Sequence, residues 1–391
     1  MSRILIFTGK GGVGKTSVAA AHARKSEKEN KKTLLVSTDM AHNLSDLFDM
    51  SFGRETSEIS KYLDVLEIDP NYVMEHDFKN IMTAFMNMIA PPDRNGSAQE
   101  DVVMLPGMEE LFSLLKILDI YESGKYERII VDCAPTGETL SLLKFPELMS
   151  WYMEKFFPVG KLAIRVLSPI SKKMFEVELP DKAAMSDIER LYVRLIQLQE
   201  LLKDDDVTSI RLVTIPEKMV VEETKRNYMY MNLYNFNVDG VFINRILPGD
   251  IGNPFFDKWL DIQKKYIEEI ENVFSDRAVY YIRWYDTDLC GLEAIDQLCE
   301  EVLDQPELFE IRKNQPGEMY EATEEGYRLS LYLPCIKKED IDLRQSGTDL
   351  IIKIGNFKRN IPIPNSLRNY RIISAKAEEQ ILNIRTVKEV D

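Results

Sequence analysis

The chain has 391 residues, with 49 lysines and arginines against 65 aspartates and glutamates, so its formal net charge is −16. This acidic balance argues against a nucleic-acid-binding protein, because a phosphate backbone requires clustered positive charge. With 45% hydrophobic and 29% charged residues, the composition is typical of a globular protein. The length allows two or three domains, each large enough to bury its own core.

The cysteines and the N-terminus indicate where the protein works. The four cysteines form no C-x-x-C pair and the three histidines lie far from them in the sequence, so we expect reduced thiols and no zinc or iron–sulfur site within one subunit. The first residues lack the features of a signal peptide. No stretch reaches the roughly 18 uncharged apolar residues that a membrane span requires. The sequence therefore predicts a soluble, cytoplasmic protein without an integral membrane segment.

Six short apolar or β-branched runs alternate with helical stretches. Continuous apolar strands of this kind are typical of a parallel sheet that is buried on both faces. The pattern predicts an α/β domain over residues 1–315, with a doubly wound and mostly parallel sheet. The predicted strands are residues 3–8, 32–39, 127–134, 209–216, 239–246 and 278–285.

Methionines and aromatic residues are concentrated in one part of this domain. Ten of the seventeen methionines lie between residues 74 and 185. We expect an inserted helical subdomain over about residues 74–106 and 143–205. Its methionines could pack a core, or they could line an adaptable groove for an apolar partner. Both interpretations stay open.

After about residue 310 the pattern changes to that of a small β domain. Residues 316–325 are predicted to be a polar linker, and residues 326–391 a separate antiparallel β-sandwich domain. Apolar residues there alternate with polar ones, as half-buried strands require. The residues predicted to face the core are Tyr327, Leu329, Leu331, Leu333, Leu350, Ile352 and Ile354.

The chemistry is carried by a glycine-rich loop between the first strand and the first helix. It matches the pattern G-x-x-x-x-G-K-[ST], in which backbone N–H groups and the helix N-terminus bind phosphate. Lys15 is expected to bridge the β- and γ-phosphates of ATP, and Thr16 to bind Mg²⁺. The loop consists of Gly9, Lys10, Gly11, Gly12, Val13, Gly14, Lys15 and Thr16.

The second lysine of the loop, Lys10, is not required in an ordinary phosphate loop. A positive charge at this position points away from its own γ-phosphate and could reach that of a neighbouring subunit. Such a cation would stabilise transition-state charge only when two subunits close together. Lys10 therefore predicts a dimeric enzyme.

Two aspartates end strands that are expected to flank the loop. Asp132 is placed to hold Mg²⁺, usually through a water molecule, and Asp39 ends the second predicted strand. The carboxyl ends of parallel strands line the crevice where such folds bind ligands. Asp39 alone could equally be the N-cap of a helix. Two aspartates on strands beside one loop favour catalysis.

Three ordered motifs carry a resemblance to a known family: GKGGVGKT, STDMAHNLSDLF and DCAPTGETLSLL. They resemble the family of arsenite-pump ATPases and tail-anchored-protein-targeting ATPases, a dimeric branch of the deviant Walker A hydrolases, and the resemblance covers residues 1 to about 305. It implies that Lys10 acts between subunits and that Asp39 orients the attacking water. It also implies phosphate and Mg²⁺ roles for Lys15 and Thr16, and a second Mg²⁺ contact for Asp132.

The resemblance extends to the nucleotide. It implies that Glu217 and Asn244 lie around the adenosine of ATP or ADP. Ser17, which follows Thr16, is also predicted to bind the nucleotide. Without the resemblance, Asn244 would be interpreted as a turn residue at the end of a strand.

Residues 326–388 are similar to the α-crystallin domain of small heat-shock proteins. The resemblance depends on LPCIKKEDID and on the alternating strands. No I-x-I tail follows, which argues against oligomerisation of the heat-shock type.

The chain also departs from the family pattern. It has no C-x-x-C for the zinc that clamps some dimers, and no evident cysteine triad for arsenite. Met40 replaces a usual proline and Glu138 a usual histidine, with an open effect on conformational coupling. Cys133 is interpreted as a small buried strand residue. Because there is one ATPase unit, a complete pair of sites requires a homodimer.

The favoured interpretation is a homodimeric Mg²⁺-dependent ATPase that captures and releases a hydrophobic polypeptide or membrane-protein partner, such as a transmembrane helix. One alternative is the ATPase subunit of an arsenite or antimonite efflux pump, against which the missing thiol ligands count. Another is a chaperone-like binding protein for which ATP is a switch. The identity of the cargo and the role of the C-terminal domain are not fixed by the sequence.

Overall fold

The computed structural model describes eleven stretches of the chain: residues 2–39, 43–79, 108–133, 187–249, 252–305, 307–313, 317–324, 326–346, 349–363, 370–378 and 380–388. Most of the predicted methionine-rich subdomain, residues 80–106 and 143–186, lies outside the described residues. Within them, no helix is long and apolar enough to span a membrane.

An eight-stranded sheet forms the centre of the first domain, in the order β3-β4-β2-β5-β1-β6-β7-β8. All neighbouring strands are parallel except β3, which pairs antiparallel with β4 at one edge. The prediction of a mostly parallel sheet is confirmed. The strands are β1 (Arg3–Thr8), β2 (Thr33–Ser37), β3 (Ser57–Ser60), β4 (Leu63–Glu67), β5 (Arg128–Asp132), β6 (Thr208–Thr214), β7 (Val238–Ile246) and β8 (Ala278–Arg283).

Helices cover both faces of this sheet. On β1, Ile4 and Ile6 pack into one hydrophobic cluster, and Leu5 and Phe7 pack into a second on the opposite face. This division is what a doubly wound fold requires. The described residues form the helices α1 (Lys15–Lys28), α2 (Asn43–Phe48), α3 (Pro70–His76), α4 (Met108–Glu122), α5 (Asp187–Lys203), α6 (Lys218–Leu233), α7 (Pro254–Val273) and α8 (Gly291–Val302).

Strands β3 and β4 were not among the predicted strands. The sequence of β4, LDVLE, contains two acidic residues and therefore lacks a continuous apolar run. The structure satisfies both charges. Asp64 accepts hydrogen bonds from Lys32 (2.6 Å), Lys125 (3.0 Å) and the Tyr126 hydroxyl (2.8 Å). The Glu67 carboxylate accepts hydrogen bonds at the start of α2.

A buried polar network fixes the segment that leaves α8 for the second domain. Arg211 donates to Asp239 (3.1 Å) and to the carbonyl of Leu308, and its third contact is His22 Nε2 (2.9 Å). Arg3 lies 3.3 Å from the same Asp239 carboxylate. Burial and the neighbouring Arg211 hold the pKa of His22 well below its usual range. A neutral His22 can accept from Arg211, so the network ties the 307–313 segment to the sheet.

The second domain consists of two antiparallel sheets, in the orders β14-β15-β10-β9 and β11-β12-β13. Residues of both, including Leu329 and Ile361, line one apolar cavity of about 30 Å³, so the sheets face each other. The strands are β9 (Glu318–Ala322), β10 (Gly326–Tyr332), β11 (Ile341–Ser346), β12 (Asp349–Ile354), β13 (Phe357–Pro362), β14 (Tyr370–Glu378) and β15 (Ile381–Lys388).

The core-facing prediction for this domain holds for six of its seven residues. Leu329, Leu331, Leu333, Leu350, Ile352 and Ile354 are all buried. Tyr327 is only partly buried. The predicted 316–325 linker contains β9, which pairs with β10. This edge strand looked like a linker because four of its five residues are exposed.

The second domain packs on the C-terminal half of α6. The rings of Tyr230 and Phe357 lie 3.5 Å apart between centroids, and the Tyr234 hydroxyl donates to the carbonyl of Lys358 (3.1 Å). Arg359 donates to the carbonyl of Leu233 (2.6 Å) and to Glu318 (2.6 Å). Since the Arg359 side chain is 9% exposed, its charge is stabilised mainly by these partners and little by water.

Replacement of Arg359 by alanine is expected to loosen this contact. Removal of one member of a buried ion pair costs about 3 kcal/mol, because the other charge is left without a partner. Arg344→Ala is the matched control, since Arg344 is 74% exposed and pairs with Asp342 on its own strand. Urea unfolding should show the loss for Arg359→Ala, with faster hydrogen exchange in β9 and β13. Equal effects of the two substitutions would contradict this role.

Candidate functional site

The glycine-rich loop passes from β1 into α1, where the mechanism requires it. Gly12 and Gly14 adopt φ angles of 77° and 96°, which residues with a side chain rarely adopt. Gly9 and Gly14 are also limited by space. A Cβ atom on Gly9 would lie 2.2 Å from the carbonyl oxygen of Val213, and one on Gly14 would lie 2.3 Å from Nδ2 of Asn244. The glycines therefore allow the loop to lie directly against β6 and β7.

The residues of the loop differ in their exposure to solvent. Val13 and Lys15 are buried, whereas Gly11 and Gly12 are exposed. The Lys15 ammonium lies 3.4 Å from the Lys10 carbonyl oxygen. Thr16 and Ser17, both partly buried, follow in the first turn of α1. The exposed part of the loop could receive a phosphate group, with Lys15 beneath it.

Asp132 lies at the end of β5 and is 1% exposed. Neither carboxylate oxygen reaches hydrogen-bonding geometry with a described residue, and the same holds for the buried hydroxyl of Thr8. Burial raises the pKa of Asp132 to about 6; the nearby Thr16 hydroxyl and the Lys15 ammonium oppose this shift, and the Asp39 charge adds to it. A buried carboxylate without a partner beside a threonine hydroxyl supplies the hard oxygen ligands that suit Mg²⁺.

Asp39 lies just beyond the end of β2, and β2 pairs with β5 in the sheet. Its backbone N–H donates to the Ser37 hydroxyl (3.2 Å), and Ser37 is opposite Asp132 in the sheet. The two carboxylates are close enough for Asp39 to affect the pKa of Asp132. The predicted pair of acidic residues therefore lies at the edge of the sheet that is formed by the carboxyl ends of the parallel strands. Met40 and Glu138 lie outside the described residues.

Glu67 supports the segment after Asp39 and was not predicted as a site residue. Its Oε1 accepts the backbone N–H groups of Leu44 and Ser45 (both 3.0 Å), and its Oε2 accepts the Ser45 hydroxyl (2.7 Å). These bonds satisfy N–H groups at the start of α2 that have no partner within the helix. The signal in the sequence was an acidic residue at the end of a short strand, the same signal that identified Asp39 and Asp132.

Asn244 and Glu217 occupy neighbouring strand ends. Asn244 is 7% exposed, and its Nδ2 donates to the Val13 carbonyl oxygen (2.8 Å). It is therefore in direct contact with the phosphate loop rather than part of an isolated turn. Glu217 precedes α6 with an exposed side chain. No hydrogen bond or ion pair joins the Glu217 side chain to the loop in the part of the chain that the structure describes.

The four cysteines, all of which are among the described residues, form no disulfide bond with one another. Cys133 is 1% exposed, so the prediction of a small buried residue is confirmed. Over the described residues, one group of three potential metal-binding side chains comes together, Asp204, Asp205 and Asp206, and it contains no cysteine. Lys313 pairs with two of these aspartates.

The fold and the loop together define a class of protein. A glycine-rich loop between the first strand and first helix of a mostly parallel sheet, with acidic residues at adjacent strand ends, is the nucleotide site of P-loop hydrolases. Residues 2–304 match the family described as anion-transporting ATPase, and residues 324–385 match the HSP20-like domain found in ArsA. The chain therefore belongs to the anion-transporting ATPase family, and both resemblances seen in the sequence are confirmed.

Curated relatives carry two kinds of name. A putative arsenical pump-driving ATPase of Aquifex aeolicus is 34% identical over 388 residues, which cover 96% of this chain and 98% of the relative. A putative arsenical pump-driving ATPase of Chlorobaculum tepidum is also 34% identical, over 98% of this chain and 95% of the relative. The ATPase get3 of Pyrenophora tritici-repentis is 30% identical over 309 residues, 76% of this chain and 90% of its own. Membership of this family supports nucleotide binding and ATPase activity.

Asp132 makes a testable contribution to stability. Its folded pKa of about 6 lies above the ordinary value of 3.8, so this group favours folding at low pH and the contribution is lost as pH rises through about 6. Asp132→Asn is therefore expected to stabilise the protein by about 3 kcal/mol at pH 7, in the absence of nucleotide and metal. The gain should disappear near pH 4.

Urea unfolding between pH 4 and pH 8 measures this effect, with the exposed Asp261→Asn in α7 as the control. The control is expected to show no such pH-dependent gain. A loss of stability for Asp132→Asn at pH 7 would mean that the carboxylate is already compensated.

Proposed function

We propose that this chain is a Mg²⁺-dependent ATPase that acts as a homodimer and couples ATP binding and hydrolysis to the capture and release of a hydrophobic polypeptide such as a transmembrane helix. The observation that carries the ATPase part is the phosphate loop beside a buried carboxylate without a partner. Family membership supports the same activity.

In this proposal the loop and the end of β5 hold the nucleotide and metal. The backbone N–H groups of the loop bind the β-phosphate, Lys15 bridges the β- and γ-phosphates, and Ser17 lies near the same phosphates. Thr16 and Asp132 would hold Mg²⁺, which would neutralise charge that develops on the phosphate oxygens.

The remaining polar residues have distinct tasks. Asp39 orients the attacking water, and Glu67 fixes the α2 end that follows the Asp39 segment. Asn244 positions the loop through the Val13 carbonyl and, together with Glu217, lies beside the adenosine. The Lys10 side chain is 38% exposed, which supports its use outside its own site. We assign it to the γ-phosphate of the partner subunit.

Mixed dimers test the division of roles between subunits. Asp39→Asn is expected to reduce hydrolysis by about 10²- to 10⁴-fold with nearly unchanged nucleotide binding, because this carboxylate acts on the water. Lys10→Ala should also lose hydrolysis. An equal mixture of the two variants rebuilds one complete site in each mixed dimer, and about a quarter of the wild-type rate should return in a phosphate-release assay.

The control for this experiment is the mixture of Lys10→Ala with the double variant Lys10→Ala/Asp39→Asn, which contains no complete site. If the first mixture recovers no more activity than this control, Lys10 acts within its own subunit and the proposed arrangement is wrong.

The cargo part of the proposal is supported by the resemblance to targeting ATPases and by the relative named get3. The methionine-rich segments that would bind such cargo lie outside the described residues, so the groove and the core interpretations both remain predictions. The chaperone-like alternative would place the client on the second domain. The cytoplasmic location also remains a prediction.

A pump ATPase is the second candidate, because full-length relatives are named putative arsenical pump-driving ATPases. A soft metalloid requires converging thiolates. The described residues include all four cysteines, and no three of them come together. Arsenite binding by a single chain is therefore disfavoured.

A transmembrane-helix peptide of ~20 residues distinguishes the two candidates. Fluorescence anisotropy should show about tenfold tighter binding with a non-hydrolysable ATP analogue than with ADP, since ATP can control a ligand only through different affinities of two conformations. The control is the same peptide with lysines in place of central leucines. No binding of the apolar peptide, together with ATPase activity stimulated by arsenite, would support the pump instead.

A further inference from the structure

Lys10 has a partner within its own chain. Its Nζ lies 3.7 Å from Oε2 of Glu223, the sixth residue of α6, and the two side chains are 38% and 29% exposed. The sequence motifs gave Lys10 a role but gave none to Glu223. The pairing therefore connects the exposed cation of the loop to a helix that begins at the same edge of the sheet.

The position of Glu223 is set by its neighbours on α6. The Thr224 hydroxyl bonds to the Thr214 hydroxyl on β6 (2.9 Å), and the side chains of Val220 and Val221 are buried. One turn of α6 is thus anchored on the strand that the loop touches. The backbone of Glu223 is therefore held beside the loop, within reach of Lys10 for its carboxylate.

The preceding residue, Glu222, faces elsewhere. Its carboxylate accepts from Lys225 (3.0 Å), which also pairs with Glu269 on α7. Consecutive residues on a helix point in different directions. The helix therefore carries two adjacent glutamates of equal charge, of which only Glu223 lies beside Lys10.

We propose that Glu223 is a positioning residue that retains Lys10 within its own subunit while the two subunits are apart. This inference rests on the proposed role of Lys10 across the dimer. One ammonium group cannot pair with Glu223 and reach the partner's γ-phosphate at the same time. The ion pair therefore stabilises separated subunits relative to the closed dimer, and closure requires its exchange.

The expected strength of the pair suits such a role. A partly exposed ion pair without direct hydrogen-bonding distance changes an equilibrium by about five-fold at most. Glu223 would set a threshold for closure that bound ATP overcomes, and it would not block closure. Loss of its charge should shift dimer formation by about two- to five-fold.

The experiment compares Glu223→Gln with the matched control Glu222→Gln in the full chain. Dimerisation is measured by analytical ultracentrifugation with Mg²⁺ and a non-hydrolysable ATP analogue. Glu223→Gln is expected to lower the dimer dissociation constant about two- to five-fold, with no change for Glu222→Gln. In a Lys10→Ala background, Glu223→Gln should have no effect. An equal effect in that background would overturn the inference, because Glu223 would then act without Lys10.

A second measurement separates this inference from the proposed function. The rate at which an amine-reactive ester acylates Lys10 is measured by mass spectrometry without nucleotide, where neither dimer nor hydrolysis is required. Release from Glu223 should raise this rate in Glu223→Gln and leave it unchanged in Glu222→Gln. An unchanged rate overturns the inference and leaves the proposed function standing, whereas failure of the mixed-dimer experiment removes the proposed function itself.

Discussion

The proposed nucleotide site depends on how closely the glycine-rich loop lies against the sheet. A Cβ atom on Gly9 would collide with the Val213 carbonyl, and one on Gly14 would collide with the Asn244 amide. The loop therefore has no room to move towards β6 or β7, and Asn244 fastens it by donating to Val13. Glycine at these positions is required by contact as well as by backbone angle. The donor groups of the loop are fixed before any ligand binds, which reduces the ordering cost of binding.

Helix α6 extends this constraint to the rest of the molecule. It begins after Glu217 at the site edge, continues past Glu223 beside the loop, and ends where Phe357 and Arg359 of the second domain pack against it. The β domain is thus packed against a helix that begins beside the proposed nucleotide site. A helix of 16 residues is about 24 Å long. Any displacement of α6 on nucleotide binding would change its contacts with the loop at one end and with the second domain at the other.

The sequence was sufficient for those parts of the fold that depend on local pattern. Six strands of the large sheet and the alternating faces of the second domain follow from periodicity, and the loop follows from glycine spacing. The unpredicted parts depend on contacts between distant residues. Strand β4 carries two charges that look like surface positions until Lys32, Lys125 and the N-terminus of α2 compensate them. Likewise, nothing in the sequence of α6 separates Glu223 from Glu222, because only the tertiary fold brings Lys10 beside one of them.

The buried carboxylate of Asp132 would link stability to function in the proposed mechanism. A carboxyl group with a pKa raised to about 6 by burial costs free energy of folding at neutral pH, and the nearby Thr16 hydroxyl and Lys15 ammonium offset only part of this cost. In the proposed mechanism, Mg²⁺ with nucleotide supplies the missing positive charge and stabilises the folded state by mass action. The loop, β5 and β2 meet at this residue, so ligand binding acts on the same edge of the sheet that carries Asp39 and the start of α2. Local destabilisation at Asp132 is therefore the physical means by which nucleotide could bias the conformation of the elements around it.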